Sequence, residues 1–342
     1  MNRHEDALRS SVIEYCAAIG ADPLLVQGAG GNISWKESET LWVKASGTWL
    51  KEAVKKDIFV PVDLPHTLSV IARGDFSAAP RLREETKLRP SIETLLHALM
   101  PHQVVVHLHP VEILAHLVRD DCRAAFLSLS GIPNHWAMVD YHKPGAALAA
   151  AVSAALANRP DIDVVFMKNH GIVVGGEDVA EVNRTLGLLL EVLSTPSAAL
   201  RKTQPFSQSP ISGPVSEYVP IEDIDVQQLA LNAELFNRLS TEWALYPDHV
   251  VFLGARAHAY PSWEAFGEAN PNGRESPKLV FIRGEGVFAR PPFGAAKHAQ
   301  LRCYFDVLTR LRPGTTIREL TDAQISELLN WDAEQYRMRL AT

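Results

Sequence analysis

The stretch Gln103–Pro110, QVVVHLHP, constrains this chain most. Three consecutive valines in so short a run read as a β-strand, because branched side chains pack well on a pleated surface. Alternate residues of a strand share a face, so His107 and His109 point the same way, with Cα atoms about 6–7 Å apart. Pro110 cannot donate to a sheet ladder and ends the strand, which places the pair at its mouth. Two imidazoles so placed are either polar groups on an open strand face or part of a metal site, with metal–nitrogen bonds of about 2.0–2.1 Å. A third histidine favours the second reading. Asp161–Gly171, DIDVVFMKNHG, reads as a strand running into a turn at Asn169-His170-Gly171. Three histidines at two strand ends make an open site, with positions left for substrate or water. Imidazole is a borderline ligand, so Zn²⁺ is the first expectation; Mn²⁺, Co²⁺ and Fe²⁺ fit the same donors.

Around these strands the periodicity alternates. Leu8, Val12, Tyr15 and Ile19 fall on one face of a first helix, which Gly20 stops. Leu41–Ser46 and Asp57–Leu64 read as short strands. A helix is expected from Ser91 to Met100, bounded by Pro90 and Pro101. On it Glu93 and His97 are four apart and share a face, either as a solvated pair or with the carboxylate beside the metal as a general acid/base. Helices are expected at about Val111–Val118, Ala146–Asn158 and Asp178–Leu193. His102 and His135 read as surface residues. Ser194–Pro220 is rich in proline and small polar residues and marks a boundary. Beyond it are expected a helix over Ile224–Leu239, a strand over His249–Gly254, a strand pair over Lys278–Arg290 and two closing helices. The last of these starts at Thr321 with Gln324 three residues on, a capping box.

The length of 342 residues suits about two domains. With 46% apolar and 21% charged residues the composition excludes a disordered or collagen-like chain. A net charge of −7 gives no argument for nucleic acid or an anionic membrane as partner. Cys16, Cys122 and Cys303 are odd in number and far apart, which favours a reducing cytoplasm over a disulfide framework. The N-terminus shows no apolar signal core, and the longest apolar run, Ala146–Ala157, is too short to span a bilayer.

Gln27–Ser34, QGAGGNIS, is a dense turn with glycines at 28, 30 and 31. It is not a dinucleotide fingerprint, since Ile33 stands where the third glycine belongs, and no GK[ST] follows as in a P-loop. What remains is a tight turn whose N–H groups, with Asn32, can cradle an anion. Ala45-Ser46-Gly47-Thr48 offers a second such turn. Beside a metal site the two point to an anionic substrate such as a sugar phosphate.

GAGGNIS, LWVKASGT, RPSIETLLHALMPHQVVVHLHP and FMKNHGIVVGG, in that order, resemble the class II aldolase/adducin family over about residues 5–195. That family includes L-fuculose-1-phosphate and L-rhamnulose-1-phosphate aldolases, an L-ribulose-5-phosphate 4-epimerase and a methylthioribulose-phosphate dehydratase. YPDHVVFLG and FIRGEGVFARPP are similar to the longer aldolase halves of bifunctional rhamnulose-1-phosphate aldolase/dehydrogenases; the dehydrogenase half and its nucleotide fingerprint have no counterpart in these residues. The resemblance implies a three-layer αβα domain over 1–198 with a central, mostly antiparallel sheet, a Pro/Ser-rich linker over 199–220 and a smaller C-terminal α/β domain over 221–342. It implies a homotetramer with active sites at subunit interfaces. His107, His109 and His170 would ligate the ion, and Glu93 would be the acid/base beside it. Asn32, Ser46, Gly47 and Ser91 would line the phosphate pocket, with Gly28 shaping its loop. Tyr141, in VDYHKPG, would reach a neighbouring site and protonate the leaving aldehyde.

The expected activity is therefore that of a metal-dependent aldehyde-lyase, splitting a carbon–carbon bond of a ketose phosphate through an enediolate. A decarboxylase, epimerase or dehydratase would use the same residues, and an adducin-like scaffold would keep the fold without the chemistry. Ile92 stands where short aldolases have a second serine, so the anion is expected to be held differently or not to be a phosphate.

Overall fold

The computed structural model describes residues 3–336 except 133, 134, 158, 160, 196, 198–216, 271–275, 313 and 334. The first half runs α1 (Arg3–Gly20), β1 (Asn32–Glu37), β2 (Thr40–Lys44), β3 (Phe59–Asp63), α2 (Leu64–Ala72), α3 (Thr94–Leu99), β4 (Val104–Leu108), α4 (Val111–Leu117), α5 (Cys122–Ser128), β5 (Trp136–Val139), α6 (Ala146–Leu156), β6 (Val164–Met167), β7 (Gly171–Gly176) and α7 (Val179–Val192). The second half continues with β8 (Val219–Pro220), α8 (Ile224–Leu231), α9 (Ala233–Arg238), α10 (Pro247–Leu253), β9 (Ala259–Tyr260), α11 (Trp263–Ala269), β10 (Leu279–Ile282), β11 (Gly286–Ala289), α12 (Ala295–Arg310) and α13 (Asp322–Leu329). The expected linker lies largely outside the described residues, and its last two form β8.

β1 to β7 form one sheet in the order β3-β2-β1-β4-β7-β6-β5. Every neighbouring pair is antiparallel except β5 with β6. The period of two explains the layers. Val104, Val106 and Leu108 of β4 pack with α1, α4, α5 and α7 on one face. Val105 packs with α3 and α6 on the other. His107 has the parity of Val105, so it emerges on the α3 side. This is the expected three-layer arrangement, with β4 at the centre of the sheet.

A second, four-stranded sheet, β8-β11-β10-β9, belongs to the C-terminal half. Its core is continuous with the first half: Ala29, Val111, Leu114 and Val118 cluster with Leu229, Leu245, Val250, Leu301 and Tyr304. The C-terminal unit therefore sits on α4 and the glycine turn.

Several elements depart from expectation. His249–Gly254 is not a strand but the end of helix α10. Pro247 opens that helix and all seven of its residues are buried, and a fully apolar run carries no period to tell a buried helix from a buried strand. Ile224–Leu239 is two helices, because the Asn232 side chain accepts from the N–H groups of Glu234 and Leu235 and restarts the chain. α3 begins at Thr94 rather than Ser91, whose hydroxyl instead accepts from the Glu93 N–H at 3.2 Å. β1, α2, α5, β5, β7, β8, β9 and α11 are additional elements. His97 is not solvated: it is buried, with Nδ1 2.8 Å from Ser34 Oγ, and burial pushes its pKa down to about 4. His102 is half-buried, with Nε2 2.9 Å from Asp163 Oδ1, whereas His135 is exposed. The capping box at Thr321 and Gln324 is present.

Candidate metal centre

The site forms where the central strands end. His107 lies on β4, opposite Asn32 of β1 and Val173 of β7. His109 follows one residue after β4, and His170 immediately precedes β7. The turn between β6 and β7 is set by Asn169, whose φ of 53° is a left-handed conformation that asparagine tolerates. Its amide donates to the Leu245 carbonyl at 2.8 Å and the Arg318 carbonyl at 2.6 Å, so the C-terminal half holds the turn. Gly171 leaves the space His109 needs: a Cβ there would run into the Leu108 carbonyl and lie 2.7 Å from His109 Cδ2. Gly171→Ala is expected to lower stability by about 1–3 kcal/mol, as overpacking does, and to displace the ring. Thermal melting together with metal content checks this, and an unchanged melt with full metal occupancy would contradict it.

One nitrogen from each of His107, His109 and His170 lies within 4.8 Å of the others, and all three residues are buried. His107 Nδ1 donates to the Ile172 carbonyl at 2.9 Å. A carbonyl only accepts, so the ring proton sits on Nδ1 and Nε2 carries the lone pair. Burial pushes the His107 pKa down to about 3, which keeps that lone pair available at neutral pH. His107 Nε2 faces His109 Nε2 at 3.1 Å. The Glu93 carboxylate spans the group, with Oε2 3.4 Å from His107 Nε2 and Oε1 3.3 Å from His170 Nε2. Three imidazole nitrogens converging beside a buried carboxylate fit a divalent cation.

A cleft of about 460 Å³, open mouth included, leads to this group. It is lined by Asn32, Ser46, Gly47, Ser91, Glu93, His109 and His170, so most of the expected site residues meet here. The two expected anion turns also meet. Lys44 is buried between them, and its Nζ donates to the Ala29 carbonyl at 3.2 Å and the Thr48 carbonyl at 2.7 Å. Gly47 has a φ of 77°, which suits glycine. Gly28, at φ 60°, shapes its turn against Ala296 without lining the cleft. Ile92 does line it. Tyr141 does not; it packs against the core cluster of the C-terminal half. Pro247 and Asp248 of α10 also line the cleft, and sequence reading tied no chemistry to them. Their only advance signal was the segment YPDHVVFLG.

A sheet flanked by helices, with a histidine triad at the ends of its central strands and a carboxylate from the start of α3 beside it, defines an α/β fold built around a candidate metal centre. The family model for the class II aldolase and adducin N-terminal domain matches residues 10–194, and the chain belongs to that family. A Bacillus subtilis (strain 168) protein named uncharacterized oxidoreductase YuxG is 27% identical over 309 residues, covering 79% of this chain and 43% of that protein. The chain thus spans less than half the length of that relative. Among solved structures, the N-terminal class II aldolase domain of a conserved protein from Thermoplasma acidophilum is 24% identical, with a TM-score of 0.44, covering 54% of this chain and 89% of that one. An L-fuculose-1-phosphate aldolase from Thermus thermophilus is 18% identical, with a TM-score of 0.39, covering 54% of this chain and 90% of that one.

Proposed function

We propose that the protein is a metal-dependent aldehyde-lyase that cleaves a carbon–carbon bond in a ketose phosphate or a closely related sugar derivative. The observation that carries this reading is the convergence of His107, His109 and His170 with the Glu93 carboxylate 3.3–3.4 Å away, at the inner end of a cleft flanked by two glycine turns. The three histidines would hold a divalent ion, most simply Zn²⁺, which when bound supplies Lewis acidity toward a carbonyl oxygen. Glu93 moves the proton at the carbon beside that carbonyl, since its carboxylate lines the cleft and faces the Nε2 edges of both His107 and His170. Asn32, Ser46, Gly47 and Ser91 orient the anionic end of the substrate. Lys44 acts indirectly, because its ammonium is engaged by the carbonyls of both turns and keeps them together. Tyr141 serves a neighbouring site in a homotetramer. The free, buried Cys16, Cys122 and Cys303 support a reducing compartment, the cytoplasm.

The test is a substrate screen on the full chain. Ketose phosphates, and non-phosphorylated analogues because Ile92 lines the cleft, are incubated with protein as purified, stripped by chelator, or reloaded with Zn²⁺, Mn²⁺, Co²⁺ or Fe²⁺. Release of an aldehyde with dihydroxyacetone phosphate or its analogue is expected, lost on stripping and restored on reloading. Turnover indifferent to stripping would refute the metal-dependent reading. Release of CO₂ without aldehyde would move the activity to a decarboxylase, and protein purified without metal or turnover would indicate a scaffold.

A further inference from the structure

We propose that Asp248, contributed by the C-terminal half, is a positioning residue of the metal centre, orienting His109 by accepting its Nδ1–H. The proposal rests on the metal-site reading above and adds to it a residue from outside the 10–194 family match.

The Asp248 carboxylate is buried, with Oδ2 3.4 Å from His109 Nδ1 and 3.2 Å from Gln300 Nε2. A buried carboxylate is costly unless neighbouring groups compensate it. Here a neutral amide on α12 and an imidazole do so. The imidazole uses its opposite edge for the triad, since His109 Nε2 is the atom that faces His107 Nε2 at 3.1 Å. With the ring proton on Nδ1 toward the carboxylate, the Nε2 lone pair points into the site. This is the carboxylate–histidine arrangement that fixes tautomer, ring angle and basicity of a metal ligand. His107 is fixed by the same logic, through the Ile172 carbonyl in place of a carboxylate.

Two further features serve this contact. A Cβ on Gly30 would lie 3.2 Å from Asp248 Oδ2 and 3.7 Å from His109 Nδ1, so the bare turn admits the carboxylate to the ring. The segment just before Asp248 is also pinned at the second ligand strand, where the Asn169 amide donates to the Leu245 carbonyl. One short stretch, Leu245–Asp248, therefore touches the positions of two ligands, His109 directly and His170 through its neighbour. The C-terminal half acts on the site through the geometry of its ligands.

The experiment compares the full chain with Asp248→Ala and Asp248→Asn. It measures Zn²⁺ affinity by competition with a chromophoric chelator and the visible absorption of the Co²⁺-loaded protein. Asp248→Ala is expected to weaken Zn²⁺ binding about 10–100-fold, the usual effect of removing such a partner, and to shift the Co²⁺ bands. Asp248→Asn is expected to lose less, because its amide oxygen still accepts from Nδ1–H. Wild-type affinity together with a wild-type Co²⁺ spectrum in Asp248→Ala would overturn the proposal. If Asp248→Ala does not fold, Asp248→Leu, of similar size but with no acceptor for Nδ1–H, decides: an unchanged affinity and spectrum overturn it, and a weakened affinity with shifted bands sustains it. Failure of the wild-type chain to bind Zn²⁺ or Co²⁺ would instead remove the metal-site reading and this proposal together, an outcome distinct from a silent Asp248.

Discussion

His109→Ala is expected to purify without metal and to lose about three orders of magnitude in kcat/KM. His109 links the two halves of the centre, with Nε2 3.1 Å from His107 Nε2 and Nδ1 3.4 Å from Asp248 Oδ2. Its removal leaves two imidazoles where three converged, too few to hold a tetrahedral ion firmly. Lewis-acid stabilisation of developing charge is worth several kcal/mol. At 1.36 kcal/mol per decade, a loss of about 4 kcal/mol is about 10³-fold. The substitution also leaves the Asp248 carboxylate buried without its imidazole, so a lower melting temperature is expected alongside. Metal per chain by mass spectrometry and steady-state kinetics on the substrate identified by the screen provide the check. A metal-free variant with wild-type turnover would show that the triad is not the reaction centre.

The second large effect is expected for Glu93→Gln, a fall in kcat of about 10²–10⁴, the range for loss of a general acid/base. Glutamine keeps the shape of the side chain and one oxygen near the triad but cannot take up a proton. Metal content is therefore expected to stay near one ion per chain, which separates this variant from His109→Ala. The position is well determined by the backbone: Glu93 caps α3, and its N–H is held by the Ser91 hydroxyl at 3.2 Å. Loss of metal from Glu93→Gln would make the carboxylate a ligand first and a proton carrier second. Full turnover would remove it from the chemistry.

The residues differ in how openly they announce these roles. His107 and His109 are legible because a strand has a period of two and Pro110 marks its end. His170 is legible as a histidine at a second strand-to-turn junction, and Glu93 through its place in a family motif. The glycine turns are legible as turns; that they face each other across one cleft, held by Lys44, is not. Tyr141 is singled out by resemblance and packs away from this cleft. α10 reads as a strand in the sequence because a helix buried on every side shows no alternation to count.

The amino-acid sequence by itself determined the family through its ordered motifs, that resemblance implied the three-layer half with its largely antiparallel sheet, and strand periodicity with the same motifs marked the four side chains of the candidate metal centre. Tertiary structure alone decided that the C-terminal half belongs to the same centre. Asp248 meets His109, and Asn169 meets Leu245, across the chain. Such contacts arise when two apolar faces pack and carry their polar residues along, and no local pattern in either segment records the partner.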